Sequence, residues 1–143
     1  MKKIAITTAI LFTICILQSC RTEVPEAVLL SFEAKYGNAQ NVSWGKENKS
    51  EYEAEFSINN INMSANFDNR GDWVETEVVI EPKNAPAEIV KTINVQYSGY
   101  QIKSIESIET ADKGLSYEVI ITKRAKKLEI MFNETGNILE KSE

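Results

Sequence analysis

The sequence predicts an α+β fold: two tandem α-β-β-β-β repeats with an antiparallel sheet of up to eight strands and helices packed on one face, and the periodicity leaves open whether the two halves join in one sheet. Two observations carry this prediction. The segment 67–73, Phe-Asp-Asn-Arg-Gly-Asp-Trp, is repeated in residue type at 132–138 as Phe-Asn-Glu-Thr-Gly-Asn-Ile. In each half the apolar residues first recur at helical spacing and then alternate, as in a helix followed by strands. A repeat of this kind specifies architecture rather than chemistry.

Each half opens with an amphipathic helix, predicted over 24–36 and 85–97. The first apolar stripe consists of Val28, Leu29, Phe32 and Tyr36, and the second of Ile89, Val90, Ile93 and Tyr97. These residues lie three or four positions apart, which places them on one side of a helix. The two helices align at an offset of 61 residues, and both stripes are interpreted as core.

Four strands follow each helix. In the first half they are predicted over 41–47, 51–58, 61–67 and 73–80, and in the second over 101–109, 115–122, 128–132 and 138–141. The alternation is strict in 51–58, where apolar residues occupy the even positions and glutamates or serine the odd ones. Ile102, Ile105 and Ile108 are spaced by three, which predicts a β-bulge. The later strands align at an offset of 65, so the first hairpin of the second half has gained four residues.

The first 20 residues form a predicted export signal. Lys2-Lys3 precede an apolar run over 4–17, and Leu17-Gln18-Ser19-Cys20 resembles a bacterial lipobox. We therefore predict a signal peptide at 1–19, lipidation of Cys20, a tether at 20–24 and a single domain at 25–143, made of repeats 25–81 and 86–141. The lipid on Cys20 would join the protein to a membrane.

Composition argues against several function classes. Removal of Lys2 and Lys3 with the signal leaves 14 basic against 21 acidic residues, a net charge of −7, which disfavours nucleic acid as a partner. The chain contains no histidine, so the usual general base and the commonest transition-metal ligand are missing. With Cys20 lipidated, thiol chemistry is also removed. We therefore expect no enzyme activity, no cofactor and no metal.

Nearly all of 25–140 resembles the PepSY-like family of small exported proteins of Gram-negative bacteria, which is similar in fold to the β-lactamase-inhibitor-protein class. The resemblance rests on Val24-Pro25, Phe32 with Tyr36, Val42-Ser43-Trp44, the run 52–56, Phe67-Asp68 with Gly71-Asp72-Trp73, and Tyr100 with 102–105. It implies tandem repeats joined in one curved sheet, with helices on one side and the other side open. The resemblance implies no established activity: PepSY-type domains are suggested to restrain peptidases, and the inhibitor class binds an enzyme across its concave sheet.

The polar positions of the strands supply the candidate site. We expect six residues on the open side as a binding face: Glu53, Glu55, Trp73, Glu75, Glu118 and Glu129. An aromatic residue among carboxylates is a plausible hot spot for binding. The favoured function is a lipid-anchored binding module for an unknown envelope protein, on the periplasmic side of the outer membrane. Two alternatives stay open: an enzyme that uses only carboxylates on envelope glycans, and a structural subunit of an envelope complex.

Overall fold

The computed structural model describes residues 23–143, in which eight strands form a single antiparallel sheet ordered β1 to β8 as in the chain. The predicted signal peptide 1–19, Cys20 and the tether as far as residue 22 lie outside the described residues. The elements are α1 (Glu26–Tyr36), β1 (Gln40–Lys46), β2 (Glu51–Ile58), β3 (Ile61–Asp68), β4 (Trp73–Val79), α2 (Ala87–Gln96), β5 (Gln101–Thr110), β6 (Gly114–Lys123), β7 (Lys126–Asn133) and β8 (Ile138–Ser142). The predicted fold class and the tandem repeat are confirmed.

Both helices pack on the same face of the sheet, one over each repeat. Helix α1 buries Val28, Phe32 and Tyr36, whereas Leu29 of the predicted stripe is 43% exposed. Helix α2 buries Ile89 and Ile93. Within residues 23–143 neither helix has the length and apolar content needed to cross a lipid bilayer.

The two repeats have separate cores with different chemistry. Under α1 the core is aromatic: the Phe32 ring lies 5.1 Å from Phe56, 5.2 Å from Trp44 and 6.2 Å from Phe67, all near edge-to-face. Such contacts stabilise beyond the burial of area alone. Under α2 the core is mainly aliphatic, and its largest fully buried side chain is Phe132. Each repeat therefore buries its own helix, and the repeats share only the sheet.

The turn between β3 and β4 is duplicated between β7 and β8, and it explains the repeated sequence segment. The Asp68 carboxylate accepts hydrogen bonds from the backbone N–H groups of Arg70 and Asp72, at 2.8 and 3.0 Å. In the second repeat the Asn133 side chain accepts the equivalent bonds at 3.1 and 2.9 Å. Such Asx turns fix the chain reversal.

A glycine in each of these turns approaches its helix closely. A Cβ on Gly71, whose φ is +90°, would lie 2.6 Å from the Ala27 carbonyl oxygen of α1. A Cβ on Gly136, whose φ is +78°, would lie 2.8 Å from the main chain of Glu88 in α2. The shared glycine thus lets the turn close over the helix, and the same contact recurs in both repeats.

Bulges in four strands shift the alternation of side chains. The bulge predicted in β5 is confirmed: Lys103 is the additional residue, because Ile102 pairs with Ile121 and Ser104 with Ile120. As a result Ile102 and Ile105 pack toward α2, whereas Ile108 lies opposite Glu77 on the other face. The β5–β6 hairpin spans residues 101–123 and the β1–β2 hairpin spans 40–58, so the four additional residues lie where the sequence placed them.

Candidate functional site

The face of the sheet opposite the helices, here called the open face, carries the candidate site. Its residues follow from the pairing register, because directly opposed residues of neighbouring antiparallel strands point to the same side. One row across the first repeat reads Glu53, Asn66, Glu75 and Thr110, and the next reads Glu55, Ser64, Glu77 and Ile108. Across the second repeat Val79, Glu106, Glu118 and Met131 are opposed. The open face is therefore rich in carboxylates.

The five glutamates proposed from the sequence lie on the open face, but not as one patch. Glu53, Glu55 and Glu75 lie together on β2 and β4. Glu118 lies on β6, directly opposite Glu106. Glu129 lies on β7 and is paired with Lys127, whose Nζ is 2.6 Å from its carboxylate. Glu129 thus already has a cationic partner.

Trp73 does not lie on the open face, and its predicted place there is wrong. Val74 is an additional residue in β4, so Trp73 pairs with Phe67 while Glu75 pairs with Asn66. This bulge returns Trp73 to the helix side, where its Nε1 donates a 2.9 Å hydrogen bond to the Thr76 hydroxyl. A strict alternation from Thr76 back to Trp73 could not reveal the extra residue.

The indole of Trp73 instead joins α1 to the sheet. The Lys35 ammonium lies 3.9 Å from the ring centroid, a cation–π contact. The Tyr36 hydroxyl forms a hydrogen bond with the same Thr76 hydroxyl that accepts from Trp73. Trp73 of β4 is therefore a structural residue that packs against the end of α1, and it is not part of the binding face.

Three carboxyl groups on the open face have pKa values above their ordinary values. Partial burial, the proximity of Glu75 and Glu106 and the more distant Glu53 raise the pKa of Glu77. Burial and the charges of Glu47 and Glu55 raise the pKa of Glu53 in the same way. Burial, then Glu129 and Glu106, raise the pKa of Glu118. The opposite holds for Glu129, whose pKa is lowered by its hydrogen bond to Lys127.

Three residues of this site were missed by sequence reasoning: Asn66, Glu77 and Glu106. Glu77 and Glu75 share a face in the strand alternation, so Glu77 could have been included. Glu106 was hidden because the bulge at Lys103 breaks the alternation of β5. Asn66 looked like an ordinary solvated residue of an alternating strand, and no sequence signal indicates that it is only 5% exposed.

A shallow cavity of about 480 Å³ occupies the open face of the first repeat and reaches Glu106 of β5. Its lining includes Ser43, Glu53, Glu55, Ser64, Glu77 and Glu106. Because one cavity is lined from β1 to β5, the sheet is concave on this side. Volumes of this size are typical of ligand-binding clefts. Across the described part of the chain, no group of three or more Asp, Glu, Cys or His side chains converges as a metal site would require.

The raised pKa of Glu77 predicts that this residue destabilises the fold at neutral pH. A carboxyl group whose pKa is higher in the folded than in the unfolded state contributes its full stability below the unfolded pKa and loses it as pH rises. We expect Glu77→Gln, which resembles the protonated acid, to equal the wild type near pH 3, well below the unfolded pKa, and to be more stable by roughly 0.2–1 kcal/mol at pH 7, as for relief of like charges on one sheet face. Urea unfolding at the two pH values measures the difference.

Glu129→Gln is the matched control for this experiment. Its lowered pKa means that ionised Glu129 contributes stability above its unfolded pKa, so the glutamine variant should be less stable than the wild type at pH 7. A Glu77→Gln variant that is less stable at pH 7, or whose gain does not grow with pH, would contradict the electrostatic interpretation.

Comparison with known proteins gives one family and several solved structures. The family model described as "Putative beta-lactamase-inhibitor-like, PepSY-like" matches residues 20–64 and 50–140. A structure from Bacteroides eggerthii, described as "putative periplasmic proteins", is 18% identical with a TM-score of 0.78, over 84% of this chain and 88% of that one. A DUF2874 family protein from Bacteroides uniformis is 21% identical with a TM-score of 0.78, over 84% and 89%.

A BLIP-like protein from Bacteroides fragilis is 19% identical with a TM-score of 0.74, over 84% of this chain and 86% of that one. At these identities the similarity establishes the fold and not the function. No curated protein matches the sequence.

Proposed function

We propose that this chain, which belongs to the PepSY-like, beta-lactamase-inhibitor-like family, is a lipid-anchored binding module of the cell envelope that engages a protein through its open face. One observation carries the proposal: the open face is a concave, carboxylate-lined surface that no helix of the described residues covers. Ligand sites are typically concave and largely preformed, with a few polar groups that set specificity. The name of the family and of its BLIP-like structural relative agrees with an inhibitor-like role.

The periplasmic location and the lipid anchor rest on other observations. The Lys2-Lys3 pair, the apolar run and the Leu17-Gln18-Ser19-Cys20 segment support export and lipidation. A relative of the same fold is described as a putative periplasmic protein. A tether of only a few residues would keep the open face near the membrane, so an envelope protein is the expected partner.

A site-specific crosslink tests the proposal. We place a photo-crosslinking amino acid at Ser64, in the cavity of the open face, and at Glu33, on the outer surface of α1. In living cells we expect a defined protein adduct from Ser64 and none of the same mass from Glu33, because only the open face is proposed to bind. Illumination, membrane extraction and mass spectrometry identify the adduct.

The outcomes separate the candidate functions. Adducts that are equal from both positions, or absent from Ser64, would contradict binding through the open face. A single adduct at fixed stoichiometry, which never exchanges with added wild-type protein, would instead support a structural subunit. In the same cells Cys20→Ala should move the protein from the membrane to the soluble fraction if Cys20 carries the lipid.

A carboxylate-only enzyme is a weaker candidate, although the raised pKa values of Glu53 and Glu77 favour it. Glu53 and Glu129 lie on β2 and β7, five strand positions apart, which is about 24 Å at the usual strand spacing. That separation is too large for an acid–base pair acting on one glycosidic bond, where the carboxyl groups lie within about 10 Å. If the wild-type protein digests envelope glycans and Glu53→Gln does not, the enzyme hypothesis would be supported.

A further inference from the structure

Asn66 is the most unusual polar residue of the open face. It lies in the middle of β3, directly between Glu53 of β2 and Glu75 of β4, and is only 5% exposed. Its Nδ2 donates a 2.9 Å hydrogen bond to the Glu75 carboxylate. Its Oδ1 is buried without any hydrogen-bond partner. Buried polar atoms are nearly always paired in native proteins, so an unpaired acceptor indicates a missing donor.

The neighbours of Asn66 cannot supply that donor. Its cross-strand partners Glu53 and Glu75 are acceptors when ionised. None of the five ion pairs in residues 23–143 involves Glu53, Glu75, Glu77, Glu106 or Glu118. Lys127 of β7, a cation on the open face, is engaged with Glu129. The open face therefore has an excess of acceptors and of negative charge around one buried amide oxygen.

Glu106 and Glu118 extend this excess into the second repeat. They are directly opposed on β5 and β6, an arrangement in which two like charges destabilise a sheet. The same two residues border Val79 and Met131, so the charged rows are flanked by apolar surface. An arrangement that costs stability and lies in a cleft is typical of a binding site.

The chemistry favours an organic cation over a metal ion. In the described residues no three acidic side chains converge on one point, as a bound metal would require. A guanidinium or ammonium group instead spreads several N–H donors over separate acceptors, and an arginine offers five in a planar fork. Glu53 and Glu77 line the cleft of about 480 Å³, and Asn66 lies next to Glu53 on β3. Such a group could donate to these carboxylates and to the adjacent Asn66 amide oxygen.

We propose that the open face recognises a basic segment of its partner, with an arginine or lysine side chain seated among Glu53, Asn66, Glu75 and Glu77. This inference rests on the proposed function and specifies the chemistry of the partner. Electrostatic complementarity of this kind determines which partner docks and how fast, and weakens with salt. The carboxylates would lose their mutual repulsion when the cation arrives.

Two matched peptides test the proposed binding site for an arginine or lysine side chain directly. The probe is a capped Arg-Gly-Arg peptide, and the control is the same peptide with citrulline, which keeps the shape but not the charge. Both are titrated into the detergent-solubilised full chain while the side-chain amide signal of Asn66 is followed by NMR. We expect the arginine peptide alone to shift this signal, and Glu53→Gln and Glu77→Gln each to weaken binding roughly tenfold, as for loss of one charge-assisted hydrogen bond. Glu33→Gln, an exposed position on α1, should leave binding unchanged.

Other results would overturn the proposal. One is an equal shift of the Asn66 amide signal with the citrulline peptide. A second is no shift of this signal at about 10 mM arginine peptide, where even a millimolar complex is mostly formed. A third is a shift of this signal with calcium chloride alone. The crosslinking experiment distinguishes protein binding by the open face from recognition of a basic segment. An adduct from Ser64 that persists in Glu77→Gln and in high salt would support the proposed function and contradict recognition of a basic side chain. Loss of the Ser64 adduct in Glu77→Gln, but not in Glu33→Gln, would support both.

Discussion

Gly71→Ala is expected to destabilise the domain by roughly 2–6 kcal/mol, the sum of about 1–3 for a strained backbone and about 1–3 for overpacking. The φ of Gly71 is +90°, a conformation that costs L-residues free energy. The added methyl group would also lie 2.6 Å from the Ala27 carbonyl oxygen and 2.9 Å from the Ser31 hydroxyl, so the turn or α1 must move. Thermal unfolding followed by circular dichroism measures the loss.

Gly114→Ala separates the two causes. Gly114 also has a positive φ, of +72°, but a Cβ there would meet nothing within 4 Å. We expect this variant to lose only the backbone term, about 1–2 kcal/mol. Gly136→Ala should behave like Gly71→Ala, because the Cβ would lie 2.8 Å from the main chain of Glu88. Equal losses at Gly71 and Gly114 would show that the contact between turn and helix is not tight.

Phe32→Ala is expected to cost about 3–5 kcal/mol, the range for removing a buried aromatic side chain. Phe32 is 5% exposed and is the hub of the first core, in contact with rings from α1 and three strands. The vacated space cannot be filled from the second core, because the cores are separate clusters. Urea unfolding gives the free energy, and the fluorescence of Trp44 should change, because its ring lies 5.2 Å from Phe32.

Leu30→Ala is the control on the same helix. Leu30 is 64% exposed, so its truncation creates no cavity, and alanine is the best helix former. The expected change is within about 0.5 kcal/mol. A Phe32→Ala variant that loses no more than Leu30→Ala would mean that the aromatic cluster does not hold α1 on the sheet.

Much of the architecture was accessible from the sequence because the repeat and the two periodicities agree. The glycine and the aspartate or asparagine of the duplicated segment occupy the same turn in both halves. Asn59 and Asn60 form the turn between β2 and β3 with φ of +52° and +65°, a conformation that asparagine tolerates. Local sequence therefore specified the hairpins.

Bulges and burial were not accessible to the same degree. A single extra residue, Val74, reversed the expected face of Trp73, since a shift of one residue exchanges the two sides of a strand. The partial burial of Glu77 and the near-complete burial of Asn66 depend on the curvature of the sheet and on side chains from neighbouring strands. These are long-range properties, and they are the ones that define the candidate site.

The strand order also bears on how this chain reaches its fold. All seven pairings in residues 23–143 join strands that are consecutive in the chain. Six of them close turns of two to four residues at small entropic cost, and β4–β5 is joined through a connection that contains α2. Topologies of low contact order fold faster than sheets with distant pairings. Only the β4–β5 pairing joins the two repeats, and each half has its own core. Either half can therefore form first and present its last or first strand as a template on which the other half completes the sheet.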